Sequence, residues 1–136
     1  MFQPSCLEVA VFASAQLDTA DLPQIAGTGV AMLVSHRPDD EEPGQPTAAE
    51  MAEAASAAGL TFVHAPVRGL PDEAAVSATA RALENAAPGR AVVMFCRSGM
   101  RSSAAWAMAR AQQGADPDAL RATAAEAGYD LSRVPL

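Results

Sequence analysis

The sequence predicts an α/β fold: a single domain over residues 1–136, with a central, mainly parallel sheet of four to five strands and helices on both faces. Three observations predict it. Short apolar runs alternate with segments of helical periodicity, the pattern of a sheet whose strands are joined by covering helices. One run, "VAMLVS" at 30–35, is apolar almost throughout, as a strand covered on both faces requires. The chain has 136 residues, half of them apolar, which is enough for one core and too little for two.

The elements follow in order. "EVAVFAS", residues 8–14, reads as a first short strand. Asp18 or Thr19 caps a short helix that reaches Gly27 or Gly29, with Pro23 tolerated near its first turn. The second strand, 30–35, empties into "HRPDDEEPGQP", a proline-rich acidic loop of eleven residues whose length and charge suit a rim or lid. Thr47 caps "AAEMAEAASAAG", where Met51 and alanines recur at helical spacing and Gly59 ends the helix. "LTFVHAPV" is the third strand, and a helix follows from about Asp72 to Ala86. "AVVMFC" is the fourth strand. Helices near 102–113 and 117–127 close the chain, separated by Gly114, with Asp116 capping ahead of Pro117.

Composition narrows the function. Net charge is −7, all nine basic residues are arginine, and no basic patch interleaved with aromatics occurs, so nucleic acid and anionic membrane are not expected partners. No apolar stretch is long enough to cross a bilayer, and "MFQPSCLEVAVFAS" lacks the charge and sustained apolar run of a signal peptide, so a cytoplasmic location is expected. The two cysteines, Cys6 and Cys96, show no CxxC or metal-ligand spacing, which suits a reducing compartment. His36 and His64 have no partner at metal spacing and read as solvent-exposed or core-edge residues; neither a metal nor a cofactor is expected. His64 faces the pocket if its strand runs beside the fourth.

The chemistry concentrates in "AVVMFCRSGMRSS", residues 91–103. Cys96 ends a buried strand, a six-residue loop runs to Arg101, and a helix begins near Ser102. Amides at a helix start lack partners within the helix and their dipoles favour negative charge, so the loop above them suits an oxyanion. Gly99 lets the loop curl, and Arg101 supplies a planar fork for two oxygens. A thiol in that field ionises readily: helix starts and cations bring such groups from about 8.5 to roughly 3.5–7.5. Ser102 is placed to donate a hydrogen bond to the sulfur. Arg97 points outward as rim charge, and Ser98 and Met100 complete the substrate-binding loop. The plain alternative is a small buried cysteine followed by a polar turn. Cys6 has no basic neighbour and reads as passive. Trp106 and Met108 read as core residues behind the loop.

"CRSGMRS" resembles the active-site loop of the cysteine-dependent phosphatase and rhodanese superfamilies, with four residues between cysteine and arginine, the rhodanese length. Over nearly the whole chain, "HRPDDEEPGQP", "CRSGMRSSAAWA" and "EAGYDLS" are similar to a bacterial family of beta-lactamase-hydrolase-like, phosphatase-like domains. That resemblance implies a dual-specificity-phosphatase fold, Cys96 as nucleophile and Arg101 as oxyanion clamp. It also implies a possible link to a persulfide-dioxygenase-like protein, to which such domains are fused. Against the family pattern, the loop is one residue shorter than in tyrosine and dual-specificity phosphatases, and His36 stands where asparagine is expected.

Three functions stay open. The first is hydrolysis of a small-molecule or protein phosphoester through a phosphocysteine; the leaving group then needs an acid from the loops at the carboxyl edge of the sheet. Asp39, Asp40, Glu41 and Glu42 follow the second strand and Asp72 the third; Asp39 is the first choice, while Asp72 also suits a helix start. The second is sulfur transfer from a sulfane-sulfur donor through a Cys96 persulfide, which needs no strong acid. The third is an oxyanion-binding module without turnover.

Overall fold

The computed structural model describes residues 2–136. Strands β1 (Ser5–Glu8), β2 (Val11–Ser14), β3 (Val30–Ser35), β4 (Thr61–His64) and β5 (Ala91–Phe95) form one sheet in the order β1-β2-β5-β3-β4. The four strands from β2 to β4 run parallel, and β1 pairs antiparallel with β2 at one edge. The expected first strand, 8–14, is therefore a hairpin. Its turn falls at Val9 and Ala10, where Val9 is exposed and Ala10 takes φ 63° without being glycine.

The helices are α1 (Leu22–Ala26), α2 (Ala48–Ala57), α3 (Glu73–Glu84), α4 (Met100–Gln112) and α5 (Pro117–Glu126), with a 3₁₀ turn at Thr19–Asp21 before α1. Their starts are written in the sequence. The side chains of Asp18, Asp72 and Asp116 accept backbone N–H groups in the turns they open, and Thr47 forms a reciprocal capping box with Glu50.

Alternation along β5 divides the core. Val92 and Met94 face one layer with Trp106, Leu83, Leu120 and Leu131; Val93 and Phe95 face the other with Leu22, Ile25, Met51 and Leu60. A register shift between Val30 and Met32 lets Val30 and Leu33 share the second layer. Trp106 is buried as expected, and Met108 packs against the first layer. Parallel β2, β3, β4 and β5 bring their carboxyl ends to one edge, so residues 15–16, 36–42, 65–72 and 96–101 meet there.

Among the described residues no helix is long and apolar enough to cross a membrane.

Candidate active site

Cys96 follows β5 directly, and α4 opens at Met100 with Gly99 before it at φ 97°. The helix thus begins two residues ahead of the expected Ser102, and Arg101 sits in its first turn. A left-handed glycine makes the entry, and no side chain caps the helix.

The amides of Gly99, Met100, Arg101 and Ser102 have no carbonyl one turn back. Gly99 N–H donates to Cys96 Sγ at 3.1 Å, and Met100 N–H to Ser98 Oγ at 3.3 Å. Those of Arg101 and Ser102 remain for an anion. Arg97 is an outward rim residue, 71 % exposed, its carbonyl held by Gln16 N–H at 3.3 Å. The sulfur itself is fully covered, whereas an accessible attacker was expected.

Arg101 is held from one side. Nη1 donates to Glu41 Oε2 at 2.8 Å and to the Val67 carbonyl at 2.9 Å, and Nη2 donates to Glu41 Oε1 at 2.8 Å. Three of the five guanidinium N–H groups are thereby used. The other two, on Nε and Nη2, share one edge, the side-on fork that takes two oxygens of an oxyanion. Arg101 has its pKa raised, first by the Glu41 hydrogen bond, with burial opposing and the charge of Cys96 adding to it. Glu41 thus holds one end of the guanidinium, and a side-chain hydrogen bond to Cys96 adds to the raised pKa.

Glu41 in turn rests on Arg37. Arg37 is buried, and its Nε reaches Glu41 Oε1 at 3.0 Å, its Nη2 Glu42 Oε1 at 2.7 Å and its Nη1 Gln16 Oε1 at 3.1 Å. The Arg101 hydrogen bond above all, helped by that of Arg37, brings the Glu41 pKa down to about 2 although burial opposes it. Glu42 is lowered too, mainly by its hydrogen bond to Arg37. Both are ion-pair partners and unsuited to giving up a proton near neutrality. The role of Glu41 as a brace was not foreseen; its signal was the run of acids that begins four residues after a buried strand.

Of the three aspartates weighed as acids, Asp40 is exposed at φ 63°, while Asp39 and Asp72 accept amides at helix starts. Asp39 Oδ1 accepts Ala48 N–H and Asp72 Oδ1 accepts Ala75 N–H, each at 2.8 Å. They line one cavity of about 450 Å³ with Pro38, His64, Pro66 and Arg68. His64 lines this cavity, with Nε2 on the Arg37 carbonyl at 2.9 Å, but its strand β4 runs beside β3 rather than β5, and Cys96 is not among the lining residues.

Two expectations are corrected. His36 is neither exposed nor at the core edge: it is completely buried, with Nδ1 2.8 Å from Ser102 Oγ and Nε2 2.8 Å from Thr79 Oγ1. Burial first, then the charges of Arg101 and His64, lower its pKa to about 3. Ser102, also fully buried, is engaged by that ring rather than by the sulfur. Cys6 is an exposed free thiol whose Sγ lies 3.3 Å from the Glu8 carbonyl.

A family model described as "Beta-lactamase hydrolase-like protein, phosphatase-like domain" matches residues 6–115. A beta-lactamase hydrolase-like protein of Xylella fastidiosa is 33% identical over 122 residues, covering 88% of this chain; the chain spans 28% of that relative's length. Among solved structures, a provisionally assigned phosphatase of Neisseria meningitidis superposes with a TM-score of 0.79 at 32% identity, over 94% of this chain and 90% of that one. A kinase-associated phosphatase, its catalytic-site cysteine replaced by serine, shares the fold at 13% identity with a TM-score of 0.72, over 93% of this chain and 82% of its own.

Proposed function

Because the chain belongs to the phosphatase-like domain family of beta-lactamase hydrolase-like proteins, we propose that it hydrolyses phosphate monoesters with Cys96 as nucleophile. The observation that carries this reading is the Arg101 guanidinium in the first turn of α4, braced by Glu41 and with a further side-chain hydrogen bond to Cys96. The Cys96 thiolate attacks phosphorus. The P–O bond to the leaving group breaks and the oxygen departs with the electron pair, while the Arg101 edge and the amides of Arg101 and Ser102 hold the phosphoryl oxygens. Water then attacks phosphorus, the S–P bond breaks, and thiolate and inorganic phosphate are released. Asp39 and Asp72 cap helices and Glu41 and Glu42 are ion-paired, so the site favours esters whose leaving group departs with little proton help, aryl phosphates above alkyl ones.

The same shortage of a free acid favours sulfur transfer as the second reading. Cys96 would attack the outer sulfur of thiosulfate, expel sulfite, and pass the sulfane sulfur to cyanide or a thiol. One assay separates the two: the purified protein and Cys96→Ser with p-nitrophenyl phosphate, and separately with thiosulfate plus cyanide. Phosphate release abolished in the variant is the expected result. Thiocyanate without phosphate release would replace hydrolysis with sulfur transfer, and inactivity in both would leave an oxyanion-binding module.

A further inference from the structure

We propose that the cavity between Pro38 and Asp72 receives the leaving group of the ester, and that Arg68 there selects a leaving group which carries a carboxylate. The inference deepens the hydrolytic reading and rests on it.

The cavity, about 450 Å³, is of a size that takes a small molecule. Neither Cys96 nor Arg101 lines it, so it suits the part of an ester that lies beyond the phosphoryl group. It adjoins Arg101 through a single peptide. Arg101 Nη1 donates to the Val67 carbonyl at 2.9 Å, and that carbonyl carbon is bonded to the nitrogen of Arg68; Pro66 and Arg68, on either side of Val67 in the chain, both line the cavity. A second tie runs to the acidic loop, where His64 Nε2 meets the carbonyl of Arg37, the residue before Pro38.

The lining side chains differ in what they leave unmet. Pro38, Pro66 and Leu70 are apolar, and Leu70 is, with Val9, one of the two large apolar side chains left exposed among the described residues. Asp39 and Asp72 are already occupied: each gives Oδ1 to an amide, of Ala48 and Ala75, and sets its charge against the positive start of α2 or α3. Arg68 is the group left over. It is exposed and enters no hydrogen bond or ion pair among the described residues, although two carboxylates share its cavity. Arg37, Arg97 and Arg101, at the same edge of the sheet, are each matched by Glu41 or Glu42. The planar fork of Arg68 takes two oxygens of an oxyanion at once. With Asp39 and Asp72 nearby, a single negative charge on that fork is repelled less than a phosphate dianion, which favours a carboxylate. A cationic substituent would have to compete with the helix starts for the aspartates.

Three aryl esters of similar size test this: 4-(carboxymethyl)phenyl, 4-ethylphenyl and 4-(aminomethyl)phenyl phosphate. A methylene keeps the charge off the ring, so the leaving groups differ chiefly in charge. The parent is expected to favour the carboxymethyl ester over the ethyl one by about fivefold in kcat/KM, and over the aminomethyl one by more. Arg68→Gln should bring the carboxymethyl and ethyl esters to within about twofold of each other, and Arg68→Lys, which keeps the charge without the fork, should fall between. Calorimetric binding of the same esters to Cys96→Ser, with and without Arg68→Gln, needs no turnover and separates the two readings. No hydrolysis by the parent, with a carboxylate preference in binding that disappears in Arg68→Gln, would overturn hydrolysis and leave the cavity as a carboxylate subsite. Equal affinity for the three esters, a preference for the aminomethyl one, or an Arg68→Gln variant that weakens all three in the same proportion would overturn the subsite.

Discussion

Gly99 has no room for a side chain. At φ 97° any other residue is strained, and a Cβ there would stand 2.3 Å from the Tyr129 hydroxyl oxygen. The same glycine sends its amide to Cys96 Sγ. Gly99→Ala should therefore cost on the order of 1–3 kcal/mol in thermal unfolding and remove most aryl phosphatase activity; unchanged turnover would separate the loop's shape from its chemistry. His36 carries a different signature. The unfolded chain protonates this histidine near its ordinary 6.5 and the fold only near 3, so between those values the unfolded state binds more protons. Stability is whole above 6.5 and falls as pH drops towards 3, by about 1.4 kcal/mol per unit. Denaturant titrations of His36→Gln should show that slope flattened. Glu41, with its pKa lowered from 4.5 to about 2, contributes below this: its stabilisation is present above 4.5 and lost towards 2. A Glu41→Gln chain should accordingly keep the slope between 6.5 and 4.5 and lose part of the one beneath it.

At the scale of elements, the aspartates that cap α2 and α3 make the acid question a question about helix starts. Alanine at Asp39 or Asp72 removes an amide acceptor and should cost about 1 kcal/mol, while asparagine caps nearly as well. Asp39→Asn and Asp72→Asn should thus unfold like the parent and hydrolyse a poor-leaving-group ester within about threefold of it; a tenfold loss confined to poor leaving groups would make that residue a general acid. Caps were also what made the elements legible. Thr47, Asp72 and Asp116 sit where the sequence places them because their side chains act locally, on amides three residues away. The β1–β2 hairpin escaped because its turn uses Ala10 at φ 63°, with neither glycine nor asparagine to betray it. The start of α4 was placed near Ser102 instead of Met100 because its entry is a left-handed glycine with no capping side chain to mark it. Cys96, Gly99 and Arg101 were readable as a group because strand, turn and helix fix their spacing. Glu41 and Thr79 were not, since they reach the site from loop and helix positions 55 and 17 residues before Cys96 in the chain, through pairings only the fold creates.

The whole molecule sets the field in which that group works. Arg101 and Arg37 are matched by Glu41 and Glu42, so the cradle's cations are largely neutralised within the site, and the exposed Arg97 lies 4.0 Å from Glu42. Beyond a few ångströms a dianionic substrate meets a chain of net charge −7. Steering by the protein as a whole is then repulsive, and only the short-range fork and amides attract. Salt screens the first more than the second, because the Debye length falls from about 30 Å at 0.01 M to about 8 Å at 0.15 M, while contacts at hydrogen-bond distance survive. Raising ionic strength over that interval should therefore increase kcat/KM for p-nitrophenyl phosphate, by about two- to threefold, with kcat nearly unchanged. A fall with salt would mean that Arg97 and Arg101 project their charge into solvent, which requires Glu41 and Glu42 to have swung away from them, and would place the acidic loop in an open position during turnover.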